Sequence, residues 1–110
     1  MAYDENLAAR IRDEVGGEPG VMEKKMFGGL AFLVNGNMSV SASGHGGMML
    51  RCWPERTDEF IAQGAERVVM RGKEMVGWLR VDDEGIRTKR QLSAWVGRGA
   101  AYAKSLPPKR

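Results

Sequence analysis

The chain has little of the residue types that most often carry metal binding and nucleophilic chemistry. Its 110 residues include a single cysteine, Cys52, and a single histidine, His45. One cysteine excludes an internal disulfide framework and is typical of a reducing compartment, so we expect a cytoplasmic protein. A structural zinc site takes four ligands at a recognisable spacing, which these two residues do not provide. We therefore expect neither a bound metal nor another cofactor.

Long apolar runs and a strong charge of one sign are also absent. No run approaches the roughly 20 apolar residues needed to span a bilayer, and acidic Asp4 and Glu5 precede the first basic residue, unlike a signal peptide. We expect no membrane contact. The net charge is +3, from 17 basic and 14 acidic residues. Much of the basic excess lies late in the chain. It leaves nucleic acid open as an alternative partner, but solubility and helix dipoles explain it equally well.

Catalytic patterns are missing as well. The sequence has no Walker motif, no nucleophile elbow and no paired metal-ligand motif. His45 lies in the glycine-rich turn 43–47, which would hold a general base poorly, and Cys52 is expected to be a small buried apolar residue. The acidic run 82–84 lacks the alternating ligands of a calcium loop. We predict that the protein is not an enzyme; carboxylates that are dispersed in sequence and meet in space are the least favoured alternative.

What the sequence does have is an apolar stretch around a tight turn, residues 24–38. Asn35-Gly36 between apolar runs is the strongest short-range hairpin signal, because a type I′ turn needs positive φ at both central positions. The turn predicts the pairs Val34–Asn37, Leu33–Met38, Phe32–Ser39, Ala31–Val40 and Leu30–Ser41. Because side chains alternate, one face is expected to form the core. That face is Ala31, Leu33, Met38, Val40 and Ala42.

The opposite face of the same strand is also apolar, with Leu30, Phe32 and Val34. One interpretation is a central strand partly covered by a loop, since exposed apolar residues are normal. The other is a half-apolar patch around Phe32 that binds a partner chain. Both interpretations stay open at this point.

Gly28-Gly29 interrupts the apolar stretch. Glycine inside a strand pattern indicates a bulge or a tight bend where two backbones approach closely. A phosphate-binding loop would need a helix N-terminus directly after it, and the residues that follow are typical of a strand. The bend is the favoured interpretation.

Helices are predicted near both ends of the chain. Apolar residues every four positions from Tyr3 to Val15 indicate a helix over 3–16. Thr88 and Gln91 form a capping box for a last helix, over 88–105. The expected apolar face of that helix is Leu92, Trp95, Val96, Gly99, Tyr102 and Ala103.

Between these helices the pattern predicts several short elements. They are a strand over 21–27, a strand over 48–52, a short helix over 54–64, and strands over 68–70 and 75–81. Leu50 and Cys52 are expected to face inward and Arg51 to face water. Trp78 is expected to be half-buried, and Gly77 should let another backbone come close. Because most of the eight methionines lie on predicted strands, we expect them to fill the core.

Three segments resemble one known family. They are 24–38, beginning Lys-Lys-Met-Phe-Gly-Gly, then 72–78, and the closing helix with Trp95-Val96 and the segment 105–109. Together they resemble the TfoX N-terminal domain family, over about 3–108. The resemblance implies an α+β fold, a two-layer antiparallel sheet packed with helices and similar to secretion chaperones. It also implies a regulatory or interaction role without assigned catalysis. The TfoX/Sxy competence regulators carry a second, helical domain, so the resemblance does not extend to competence gene activation.

The resulting hypothesis is a single domain, 1–110, that acts as a non-enzymatic interaction module. A protein partner or a second copy of the chain is the expected partner, with a nucleic-acid-associated regulator using the basic last helix as the alternative. An open sheet edge or the face around Phe32 would make the contact. The candidate interaction residues are Lys25, Phe27, Gly28, Gly29, Leu30, Phe32, Val34 and Trp78.

Overall fold

The computed structural model describes residues 3–17, 19–26, 28–44 and 46–107. Within these residues the chain forms three α-helices, two short 3₁₀ turns and six strands. In chain order they are α1 (Glu5–Val15), β1 (Val21–Met26), β2 (Gly29–Val34), β3 (Asn37–Ala42), β4 (Met48–Arg51), a 3₁₀ turn (Pro54–Arg56), α2 (Thr57–Ala62), β5 (Glu66–Met70), β6 (Lys73–Val81), a 3₁₀ turn (Asp83–Ile86) and α3 (Lys89–Ser105). The predicted α+β class is confirmed.

Helix α1 begins at Glu5, two residues later than predicted, and α3 begins at Lys89, directly after the predicted capping residue Thr88. The Asp4 carboxylate accepts hydrogen bonds from the amides of Asn6 and Leu7 at the start of α1. At the start of α3, the Thr88 hydroxyl accepts from the Gln91 amide while the Gln91 side chain accepts from the Thr88 amide, so the capping box is confirmed. The predicted apolar face of α3 is buried throughout. Both helix starts depend on hydrogen bonds between residues that are close in sequence.

The strands form one antiparallel sheet in the order β1-β2-β3-β4-β6-β5. Residues of all three α-helices share one core cluster with one face of this sheet. Ile11 of α1, Phe60 of α2 and Leu92 of α3 lie in that cluster beside Phe32 and Leu79 of the sheet. We call this the covered face. The fold is therefore two layers, helices on one side and the sheet on the other.

The predicted β2–β3 pairing is correct at the turn and wrong beyond it. Val34 pairs with Asn37 and Leu33 with Met38, as predicted, but Phe32 then pairs with Val40 instead of Ser39. Ser39 is the extra residue of a bulge, and its hydroxyl donates a 2.7 Å hydrogen bond to the Phe32 carbonyl. Past the bulge, the remaining pairs are Ala31–Ser41 and Leu30–Ala42.

The bulge also changes which side chains enter the core. Leu30, Phe32, Val40 and Ala42 lie in the covered core, whereas Ala31, Leu33 and Met38 form a separate cluster. The predicted core face was therefore correct for Val40 and Ala42 only. Leu33 and Met38 do lie side by side, but on the side of the sheet away from the helices. The extra residue in β3 moves Val40 and Ala42 to the face of Leu30 and Phe32, so they no longer share a face with Ala31, Leu33 and Met38 as predicted.

The close backbone approaches predicted at two glycines are confirmed. A Cβ on Gly29 would lie 2.2 Å from the Ala42 carbonyl oxygen, so β3 leaves no room for a side chain there. Gly77 has a φ of +85°, and its carbonyl accepts a 2.8 Å hydrogen bond from the Cys52 amide. These two contacts fix the ends of β2 and β4 against their neighbours.

Asn37 ties the β2–β3 turn to the end of α3. Its side-chain amide donates to the carbonyls of Ala103, at 3.3 Å, and Pro107, at 3.0 Å, and Asn37 is 3% exposed. These bonds connect the turn to the last turn of α3 and to the segment that follows it. The sequence predicted Asn37 only as the residue after the Asn35-Gly36 turn, and not its contact with the end of α3.

Candidate functional site

The predicted patch around Phe32 is not on the surface. Leu30 is 6% exposed, Phe32 0% and Val34 1%, and the first two belong to the core beneath the helices. They cannot contact a partner without unfolding. The interpretation of this face as a binding patch was wrong because the Ser39 bulge in β3 brings Val40 and Ala42 to the same side as Leu30 and Phe32, and the helices cover that side. The covering layer consists of helices, not the loop of the simpler interpretation.

The other predicted interaction residues do not come together either. Lys25 is exposed on β1, at one edge of the sheet, and Gly28 is exposed in the β1–β2 turn with a φ of +75°. Gly29 is buried, and Phe27 lies outside the described residues. Only Trp78 lies half-buried beside a set of apolar side chains, as expected.

The face of the sheet away from the helices carries the surface that the structure does assemble. Because Leu79 of β6 and Leu50 of β4 point into the covered core, Trp78, Arg80, Met49 and Arg51 point the other way. We call this side the helix-free face. It is Met22, Lys24 and Met26 of β1, Ala31 and Leu33 of β2, Met38 of β3, Met49 and Arg51 of β4, and Trp78 and Arg80 of β6.

The centre of the helix-free face is apolar and closely packed. Ala31 is 0% exposed, Met38 8% and Leu33 9%, and they form one cluster. Met26 and Trp78, both half-buried, pack against this cluster from its two sides. Beyond Met26, Met22 is 61% exposed. Met22 is thus an exception to the prediction that the methionines fill the core, whereas Met48 on the covered side agrees with it.

Arg51 lies at the margin of this cluster between two aromatic rings. Its guanidinium carbon is 5.4 Å from the centre of the Trp78 ring and 5.4 Å from the centre of the Tyr102 ring. Trp78 is its direct partner in the β4–β6 ladder, and the Trp53 ring meets Tyr102 edge-on at 5.3 Å. Arg51 was expected to face water alone. Instead it is half-buried, in a geometry typical of a cation–π contact.

Two further arginines make similar contacts on the covered side. Arg56 lies over Trp53 and Phe60, and Arg98 lies over Phe60 and Trp95. Each has a second partner: Arg56 donates to the Glu59 carboxylate, which lowers the Glu59 pKa, and Arg98 donates to Gln63. Among the described residues Arg51 has its two rings and no hydrogen-bond acceptor. Of these three arginines, Arg51 is therefore the one with no N–H donor bound to a described acceptor, so its donors are open to a ligand or solvent.

The model of the TfoX N-terminal domain family matches residues 13–103, from the second half of α1 nearly to the end of α3. The chain belongs to this family. Comparison with curated proteins and comparison with solved structures each find no match. The matched range includes the helix-free face with Arg51 and Trp78.

A groove in this TfoX N-terminal domain adjoins the helix-free face at β4, β5 and β6. It encloses about 420 Å³ and is lined by Ser43, Met49, Glu66, Arg67, Val68, Val69 and Arg80. Arg80 is held at its rim by a 2.6 Å hydrogen bond to the Gly46 carbonyl. The groove extends the free surface from the apolar cluster toward the β5 edge of the sheet.

The described part of this TfoX N-terminal domain contains no cluster of three or more His, Cys, Asp or Glu side chains that could hold a metal ion. Cys52 is buried, as predicted, and burial raises the pKa of its thiol, an effect that a contact with Thr57 partly offsets. His45 lies outside the described residues. Within the described ranges, no helix has both the length and the hydrophobicity to cross a bilayer.

Proposed function

We propose that this domain is a non-enzymatic regulatory module that binds a protein partner through its helix-free face. The observation that carries the proposal is the unequal covering of the sheet. Helices bury one side, whereas the other presents half-buried Met26 and Trp78 and exposed Met22 around an apolar cluster. An apolar patch with polar residues around it is typical of a protein-interaction site.

The residue types of this face support a protein as the partner. Methionine is flexible and polarizable, and it recurs at surfaces that adapt to a bound chain. Tryptophan, tyrosine and arginine are the residues that most often dominate binding energy at protein interfaces. Trp78, Arg51 and Tyr102 lie in direct contact next to the methionines. A face made of these types suits a partner with its own apolar side chains.

Site-specific photo-crosslinking in the native cells tests the proposal. Benzoylphenylalanine replaces Met22 on the helix-free face or, as the matched control, Ala9 on the exposed side of α1. We expect one discrete protein adduct from position 22 and none from position 9. Sedimentation velocity of the purified chain then shows whether that partner is a second copy. An adduct from position 9 alone would contradict the proposal.

Nucleic-acid binding is the competing outcome. Exposed Lys89 and Arg90 at the start of α3 would contact phosphates in that case. Binding of duplex DNA would then weaken steeply as salt rises, because counterions are released. Such binding, with no protein adduct from position 22, would overturn the proposal in favour of the alternative.

A further inference from the structure

We propose that the partner segment bound by the helix-free face is an acidic peptide, and that Arg51, placed by Trp78 and Tyr102, binds its carboxylate. This inference rests on the proposed function and adds the chemistry of the partner. It concerns one residue on the surface, the charge around it and the apolar side chains next to it.

Arg51 is prepared for a ligand by its surroundings. The Trp78 and Tyr102 rings, each 5.4 Å away, hold the guanidinium without occupying its N–H donors. A guanidinium presents five donors in a planar fork that matches the two oxygens of a carboxylate. Since the rings already restrict the side chain, binding would cost little further conformational entropy. Arg56, which also contacts rings, donates two hydrogen bonds to Glu59, and Arg98 donates one to Gln63.

The charge of the helix-free face favours an acidic partner. Lys24, Arg51 and Arg80 point to this side of the sheet, and the acidic Glu66 lies opposite Arg80 in the β5–β6 ladder. Opposite charge across an interface steers association and selects the partner. The three cations spread from β1 through β4 to β6, so they span the apolar cluster instead of lying at one end.

The apolar neighbours define the rest of the peptide. Trp78 contacts both Arg51 and the cluster of Ala31, Leu33 and Met38. A carboxylate on Arg51 therefore places the adjacent peptide side chains over Trp78 and the apolar cluster next to it. We expect an Asp or Glu within a few residues of a large apolar side chain. Nucleic acid would supply phosphates and bases instead, and the test below separates the two.

Selection from a library of random dodecapeptides displayed on phage tests the inference. The purified full chain is the bait, and selected peptides are synthesised and titrated by fluorescence anisotropy. The variants are Arg51→Gln, which removes the fork and the charge, and Arg51→Lys, which keeps the charge alone. Arg90→Gln, which removes one exposed charge from α3, is the matched control. Thermal unfolding of each variant confirms that it is folded.

We expect selected peptides to combine acidic and apolar residues and to bind Arg51→Gln at least tenfold more weakly, with Arg90→Gln unchanged. Arg51→Lys should lie between the two, because lysine is a point charge without the bidentate geometry. If Arg51→Gln fails to fold, Arg51→Lys alone decides. Peptides without acidic residues, or peptides that bind wild type and both Arg51 variants equally, would overturn the inference.

A further variant, Met26→Ala, separates failure of this inference from failure of the proposed function. Peptides that lose affinity in Met26→Ala but not in Arg51→Gln would place a protein on the helix-free face without the acidic anchor. In that case the inference fails and the proposed function stands. Selection of no peptide, together with tight binding of single-stranded or duplex DNA to the same chain, would overturn both.

Discussion

The covered face and the helix-free face of the sheet are built from alternate residues of the same strands, yet they are completed differently. On the covered side, Phe32 and Leu79 are 0% exposed beneath helices that contribute Ile11, Phe60 and Leu92. On the other side, Ala31, Leu33 and Met38 pack with their neighbours in the sheet, Met26 and Trp78 among them. Helices of the same chain cover one face of the sheet. The other face is buried at its centre, but the side chains at its rim are half-exposed.

This difference assigns stability and binding to separate faces. A side chain between a helix and the sheet loses contacts on all sides when it is truncated, whereas a side chain at a half-exposed rim loses only some of them. A change on the helix-free face should therefore affect partner binding more than folding. The stability side of this comparison is tested by three pairs of variants, of which the first compares the two faces and the other two test contacts that hold the covered face.

The largest effect is expected from tryptophan truncation on the two faces. Trp95 of α3 is 5% exposed and meets Phe60 edge-on at 6.2 Å, whereas Trp78 is half-buried. Trp95→Ala should lower the free energy of unfolding by about 3–5 kcal/mol, and Trp78→Ala by about 1–2 kcal/mol. Urea denaturation at pH 7 measures both. Equal losses would show that the helix-free face carries as much of the fold as the covered one.

The second effect concerns how closely α3 approaches the sheet. A Cβ on Gly99 would lie 2.6 Å from the Ser39 carbonyl oxygen and 2.6 Å from Val40 Cγ1, whereas nothing lies within 4 Å of one on Gly97. Gly99→Ala should cost about 1–3 kcal/mol by overpacking. Gly97→Ala, on the exposed side of the same helix, should instead stabilise by up to about 1 kcal/mol through helix propensity.

Urea denaturation measures the stability of both glycine variants, and Gly97→Ala controls for the change in helix propensity. If Gly99→Ala stabilised as much as Gly97→Ala, α3 would not be seated on the bulge. The close contact between Gly99 of α3 and the Ser39 bulge would then not contribute to the stability of the covered face.

The contact at Gly99 also explains why part of the fold was beyond sequence reasoning. Helix α3 was predicted to within a residue because the Thr88–Gln91 capping box is local chemistry. The Asn35-Gly36 turn fixed the first two pairs for the same reason. The bulge at Ser39 lies against Gly99, a residue 60 positions away. No local sequence pattern indicates this bulge.

The candidate surface was missed for a related reason. Without the bulge, alternation places Leu30, Phe32 and Val34 on the free side, so the predicted patch fell on residues that the helices bury. Arg51 and Trp78 lie 27 positions apart on strands that are neighbours only in the sheet order. The methionines were expected to fill the core, and the pairing that assembles this surface depends on topology.

The smallest effect is expected at the rim of the covered face, where Arg12 of α1 and Glu23 of β1 form an exposed ion pair with two hydrogen bonds, of 2.5 and 2.8 Å. The hydrogen bonds and the charge of Arg12 lower the Glu23 pKa. A lowered carboxyl pKa in the folded state stabilises the fold above the ordinary carboxyl range, about pH 4.3, and this contribution is lost as pH falls through the folded pKa.

Glu23→Gln should therefore be slightly less stable than wild type at pH 7, and the two should converge toward pH 3. Urea midpoints across that range measure the difference, with Arg12→Gln as the reciprocal control and 1 M salt expected to reduce it. A difference that grew as the pH fell would mean that the pair does not stabilise the contact between α1 and the sheet edge, leaving apolar packing alone to hold the helix on the covered face.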